Sequence, residues 1–170
     1  SAFLILLISF PLSSFAQDDH KWADSVFRTM TLTEQVSQLF MIPVSARSKV
    51  VPQDAQLRMI QQLKPGGIFL SGGTPAENTL LIRSLQQRLD VPVLVGTNAE
   101  WGLAQSLDSA IRMPAPMVMG ALKNDSLIYL AGRLIGKQMN AIGIHVNFAI
   151  NADIDVPEAN SPVAYRYFTD

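Results

Sequence analysis

Cysteine is absent from the 170 residues, which excludes disulfides, thiolate metal sites and lipid attachment to sulfur. Histidine occurs only at positions 20 and 145, so a histidine-built metal centre is not expected, nor is any other metal or cofactor. Charge is sparse too: Asp, Glu, Lys and Arg make up 16% of the chain, and the net charge is −1. With no basic or acidic block, the chain offers nothing to nucleic acid or an anionic membrane surface. No apolar run reaches the roughly 18 residues that a spanning helix needs. What is present is 48% apolar residues, enough for one domain with a real core and too many for disorder.

The first residues stand apart. Ala2 to Leu12 is almost wholly apolar but too short to cross a bilayer, and Ser13-Ser14-Phe15-Ala16 leads from it into polar Gln17-Asp18-Asp19. Small residues at Ser14 and Ala16 fit secretory cleavage after Ala16, and Pro11 with the two serines argues against a buried helix. Ser1 stands where a methionine and a positive start are expected. Residues 1–16 therefore read as a signal peptide clipped at its start. The protein reads as exported, periplasmic or extracellular, with no membrane span once the signal is removed.

Beyond this leader, helix and strand signals alternate. A helical pattern through Trp22, Val26 and Phe27 is followed by Thr31-Leu32-Thr33-Glu34, a capping-box pattern, and by a strand over Leu39–Val44. Helical periodicity over Gln53–Leu63 ends at Pro65-Gly66-Gly67, ahead of a short strand, Ile68–Leu70. Thr74-Pro75-Ala76-Glu77 is the clearest local signal, combining an N-cap threonine, a proline at the first helical position and a capping-box glutamate. Its helix should carry Leu80, Leu81, Ile82, Leu85 and Leu89 before Pro92 opens the next strand. Met113–Leu122 reads as a connection with a short helix. A long helix capped by Asn124 or Asp125 should end at Gly143, and Ile144–Ile150 should form a strand. Such alternation predicts an α/β fold with a parallel sheet and crossover helices. A (β/α)8 barrel takes about 250 residues, so about half of one fits. The chain reads as truncated, with a C-terminal continuation expected.

The stretch Pro92 to Leu107 organises the rest. A short apolar strand breaks into Thr97-Asn98-Ala99-Glu100-Trp101-Gly102, placing an amide, a carboxylate and an indole at a strand's carboxyl end, where α/β folds place their sites. Asn98-Ala99-Glu100-Trp101-Gly102 with Gln105-Ser106-Leu107 resembles the Asp-x-Glu-x-Gly hallmark of family 3 glycoside hydrolases, especially the β-N-acetylhexosaminidase branch. Gly143 to Ala149, running into Asp153-Ile154-Asp155-Val156, is similar to the family's Phe-Ala-Pro-x-x-Asp-Val segment. Asn160 to Phe168 is similar to its Asn-Pro-Val-Ile-x-x-Arg-Ser-Phe-Gly segment, and Met30 to Phe40 to its opening helix. The matches run in order from Met30 to Asp170.

This resemblance implies the N-terminal portion of a TIM-type (β/α)8 barrel over residues 17–170, with a carbohydrate substrate as partner. It implies removal of a terminal β-linked N-acetylglucosamine or related sugar with retention. A β-glucosidase or β-xylosidase is the alternative within the family, and a non-catalytic carbohydrate-binding barrel the alternative outside it. Carried over residue by residue, the substrate-binding candidates are Asn98, Arg166, Glu100 and Asp153. Asn98 replaces an aspartate that bonds sugar hydroxyls, keeping donor and acceptor but losing the charge. The guanidinium fork of Arg166 suits several sugar oxygens, and an ion pair with Asp153 or Asp155 reads equally well. Glu100 and Asp153 read as orienting neighbours such as Arg166 or capping a turn, rather than as a catalytic carboxylate pair. Ser106 stands where the family has arginine. The aspartate nucleophile and the histidine-containing loop lie beyond the last match, so no catalytic residue is expected in this chain, and alone it should be inactive. Trp101 reads as packing under its loop, and His145 as structural.

Overall fold

A computed structural model describes residues 19–48, 51–122, 124–151 and 166. The expected signal peptide, Asp153 and Asp155 lie outside these residues. The chain divides into two units at Thr31/Leu32. The first contains α1 (Asp19–Thr29), whose Ser25 and Thr29 hydroxyls donate back to the carbonyls of Trp22 and Val26.

The second unit carries α2 (Leu32–Ser37), β1 (Met41–Val44), α3 (Gln53–Leu63), β2 (Gly67–Leu70), α4 (Pro75–Gln86) and β3 (Leu94–Thr97). A 3-10 turn (Leu103–Gln105), α5 (Pro116–Gly120), α6 (Asp125–Ile142) and β4 (Val146–Asn147) follow. The strands lie in the order β1-β2-β3-β4, every neighbouring pair parallel. Each strand is thus added on the same side of its predecessor. That is barrel order, without the reversal of a doubly wound sheet.

Strand alternation divides the sheet into two faces. Val44, Ile68, Leu70 and Val95 are buried against Leu57 and Ile60 of α3 and Leu81, Ile82 and Leu85 of α4. Full burial of each such aliphatic side chain contributes about 2 kcal/mol. The other face carries Met41, Phe69, Gly96 and Phe148. A Cβ on Gly96 would lie 2.6 Å from the Phe148 ring, which tilts against Phe69 at 6.0 Å between centroids. Glycine at 96 is what lets that ring lie across β3.

Several expectations hold closely. Gln53–Leu63 is helical, and α6 runs from its Asn124 cap to a left-handed Gly143. Others are corrected. The strand expected from Leu39 begins at Met41, because Gln38 and Leu39 still turn out of α2 through the Leu39 N–H to Val36 carbonyl bond. Helix α3 keeps its expected end at Leu63, and the residue that caps it ahead of Pro65 is Lys64, with a left-handed backbone (φ 47°). Its conformation is held by the Gln38 amide on its carbonyl (2.7 Å) and by its own ammonium on Glu34 (2.8 Å). These carboxylates, Glu34 and Asp90, raise its pKa above the ordinary lysine value. Helix α4 carries Leu80, Leu81, Ile82 and Leu85 as expected, but Leu89 lies beyond its end. The strand expected over Ile144–Ile150 pairs only at Val146 and Asn147.

The capping box at Thr74 is complete. Glu77 N–H donates to the Thr74 hydroxyl (3.2 Å), and the Glu77 carboxylate accepts from Thr74 N–H (2.7 Å) and from its hydroxyl (3.0 Å). The Thr74 N–H, then its hydroxyl and, more weakly, Arg47 hold the Glu77 carboxyl below its ordinary pKa. A group depressed in the native state binds its proton more readily when unfolded, so its stabilisation is present above the unfolded value and lost as pH falls through the native one. The melting-temperature advantage of wild type over Glu77→Gln should therefore be largest above the ordinary carboxylate range and disappear on acidification. An advantage constant with pH would contradict this.

Candidate functional site

The loops that follow the strands meet at the carboxyl rim of the sheet. After β2, Gly72 and Gly73 both take left-handed backbone (φ 69° and 76°), a region that costs other residues strain. The Gly72 N–H reaches the Ser106 carbonyl (2.7 Å), and the Asp108 N–H reaches the Gly73 carbonyl (2.9 Å). Arg47, in the loop after β1, bridges Glu77 (3.5 Å) and Asp108 (3.3 Å). Three successive loops are thereby tied to one another.

Beside them sits the one strongly buried charge pair among the described residues. The Glu100 side chain is 1% exposed, and Arg166 contacts both carboxylate oxygens: Nε lies 3.1 and 3.0 Å from Oε1 and Oε2, and a terminal guanidinium nitrogen also holds Oε1. Both oxygens of this enclosed carboxylate are thus met by one guanidinium fork. Arg166 itself is 32% exposed, so Glu100 aims a guanidinium that still meets solvent. Asn98 lies two residues before Glu100 and, by alternation, on the Gly96 face. Its carbonyl accepts from the Ser106 hydroxyl (2.7 Å), while its side-chain amide makes no hydrogen bond to any described residue.

Of the four candidate residues, the structure therefore joins Glu100 with Arg166 and sets Asn98 at the same strand end. Asp153 lies outside the described residues. Arg166, read as a sugar contact or as the partner of Asp153 or Asp155, is paired with Glu100 across 66 residues of sequence. A hollow of about 300 Å3 adjoins the pair, lined by Glu100, Ala99 and Asn147 and by Ile128, Ile135 and Met139 of α6. Its walls are mostly apolar, and Asn98 is not among them. Polar sugar recognition therefore fits the rim better than this hollow.

Sequence reasoning missed the side chains that shape the strand ends. Gln56 accepts from Ser45 N–H (3.0 Å) and donates to Ser45 carbonyl (3.2 Å). Gln86 makes the same reciprocal pair with Val93 (3.1 and 2.9 Å), and Asn147 makes it with Ala99 (2.9 and 3.2 Å). His145 repeats the motif with Val95, its Nδ1 accepting from Val95 N–H (3.0 Å) and its own N–H donating to Val95 carbonyl (2.8 Å). Nδ1 thus serves as a main-chain acceptor, a contact of the structural kind expected for His145. The available signal was a polar residue within an apolar strand pattern, Asn147 between Val146 and Phe148, which must find partners when buried.

Comparison with known proteins agrees with this fold. Residues 31–170 match the model of the glycosyl hydrolase family 3 N terminal domain. A curated relative, the beta-N-acetylglucosaminidase/beta-glucosidase of Cellulomonas fimi, is 26% identical over 165 residues, which are 95% of this chain and 28% of that protein. A solved structure of the beta-glucoside phosphorylase BglX bound to 2FGlc superposes with a TM-score of 0.70 at 15% identity, over 83% of this chain and 25% of that one. A second structure of beta-glucoside phosphorylase BglX gives 0.64 at 15% identity, over 83% and 24%. The chain spans about a quarter of the length of these relatives. It belongs to glycosyl hydrolase family 3, whose N-terminal domain it carries as a portion of a TIM-type barrel.

Proposed function

We propose that this chain is the N-terminal part of an exported glycosidase that removes a terminal β-linked N-acetylglucosamine or a related sugar. The observation that carries the reading is the Glu100–Arg166 pair at the rim, two residues from Asn98, within the segment that matches the family. In this reading Arg166 and Asn98 bind ring hydroxyls, and Glu100 fixes the guanidinium fork so that its donors do not reorganise when sugar arrives. Asp153, as the family resemblance implies, adds a second acid to the same pocket.

Retaining hydrolysis needs a carboxylate nucleophile that attacks the anomeric carbon, an acid that protonates the departing oxygen, and water that later releases the sugar. The family resemblance assigns the first two to an aspartate and a histidine-containing loop that follow Asp170 in the complete protein. The residues here supply binding and orientation. A β-glucosidase is the second reading, favoured by the double name of the curated relative.

The complete protein should hydrolyse an aryl N-acetyl-β-glucosaminide faster than an aryl β-glucoside, with the β-anomer released first in NMR. Preference for the glucoside supports the second reading. Sugar binding without turnover of either points to a carbohydrate-binding barrel, a reading to which Asn98 and Ser106 lend weight. Absence of both turnover and binding, with both sugars, overturns the carbohydrate assignment.

A further inference from the structure

We propose that Asn147 is a positioning residue of the sugar site, acting through the main chain of Asn98, Ala99 and Glu100; the inference rests on the glycosidase reading above. Strand β3 ends at Thr97, and these three residues follow it. Each polar backbone group from the Asn98 carbonyl to the Glu100 N–H is met by a side chain. The Ser106 hydroxyl donates to the Asn98 carbonyl (2.7 Å), and the Gln105 amide oxygen accepts from Glu100 N–H (2.6 Å). Between them, Asn147 accepts from Ala99 N–H (2.9 Å) and donates to Ala99 carbonyl (3.2 Å), a carbonyl that also accepts from Gly102 N–H (3.3 Å).

The three fastenings differ in kind. Ser106 and Gln105 belong to the loop that contains Asn98 and Glu100, so their side chains set its internal shape. Asn147 belongs to β4 and lies 48 residues away in sequence. It alone among these three side chains registers the loop against another strand. A planar carboxamide holding both the N–H and the carbonyl of one residue fixes rotation as well as distance. Asn147 therefore sets where the Asn98 amide starts and where the buried Glu100 carboxylate holds Arg166, without needing to touch sugar. Misplacement of binding groups by about 1 Å costs up to about a hundredfold in rate, the scale expected for its loss.

The test uses the complete protein and the aryl glycoside that wild type turns over, at a temperature where each variant is folded by circular dichroism. Asn147→Ala should lower kcat/KM by about tenfold to a hundredfold. In an Arg166→Lys background the same change should cost clearly less than in wild type, because the guanidinium aim it protects is already gone and only the placement of Asn98 remains to be lost. Asn147→Asp keeps the acceptor but sets a carboxylate against the Ala99 carbonyl. Its activity relative to wild type at the same pH should climb as pH falls and its carboxyl gains a proton to donate. Wild-type kcat/KM in Asn147→Ala, or an equal loss in both backgrounds, overturns the proposal. If Asn147→Ala does not fold, Asn147→Asp decides, and a pH-independent ratio to wild type overturns it. A wild-type protein inert toward every glycoside fails before any substitution, and that result sinks the glycosidase reading and this inference with it.

Discussion

Arg166→Met in the complete protein should both destabilise the fold and abolish most sugar binding. The stability loss comes from Glu100, which is left as a buried carboxylate without its cation. Breaking one side of a buried pair costs about 3–5 kcal/mol, and the partial exposure of Arg166 places the expectation near the lower figure. The binding loss comes from removing a forked donor, and should reduce sugar affinity by at least about a hundredfold, the scale of one or two charge-assisted hydrogen bonds. Urea unfolding and sugar titration read the two effects separately. Glu100→Met combined with Arg166→Met should recover part of the stability and none of the binding, since the second change removes the buried carboxylate that the first leaves without its guanidinium. If Arg166→Met proved as stable as wild type, Glu100 would not depend on the guanidinium, and its assigned positioning role would fall.

Gly66→Ala, one residue before β2, should be a severely damaging single-methyl change. A Cβ there would lie 2.0 Å from the Gln38 carbonyl oxygen and 2.8 Å from its carbon, and backbone cannot swing aside as a side chain does. The Gln38 turn is itself pinned: its N–H donates to Glu34 carbonyl, its side chain to Lys64 carbonyl, and Gly66 N–H to Ser37 carbonyl. Relief of the clash must break some of these bonds, so a loss of at least about 3 kcal/mol is expected by urea unfolding. Gly132→Ala is the control. Nothing lies within 4 Å of its Cβ position in α6, and alanine gains up to about 1 kcal/mol of helix propensity there. Similar costs at both positions would show that the close approach at Gly66 is not real.

The parts of the fold that sequence revealed are those whose causes are local. Thr74, Pro75 and Glu77 sit within one turn, and the cap they announce is the cap that forms. Gly143 ends α6 through its own backbone freedom. Strand ends were read less well because their causes are distant. The ladder between β3 and β4 covers two residues, while His145 and Asn147 extend the seam through side chains, at Val95 and at Ala99. No periodicity encodes an imidazole or a carboxamide standing in for a peptide group. At the site, the reading of Glu100 as a residue that orients Arg166 anticipated their contact. Spacing alone would not have paired them across 66 positions.

The cross-tied loops after β1, β2 and β3 carry a kinetic implication. With Arg47, the Gly72–Ser106 bond and the Gly73–Asp108 bond joining them, one loop cannot swing open without dragging the other two. The ordering entropy of that arc is spent during folding rather than at each ligand encounter. On the glycosidase reading, an incoming sugar would meet a collar already set, and recognition on this side would work as a template rather than a clasp.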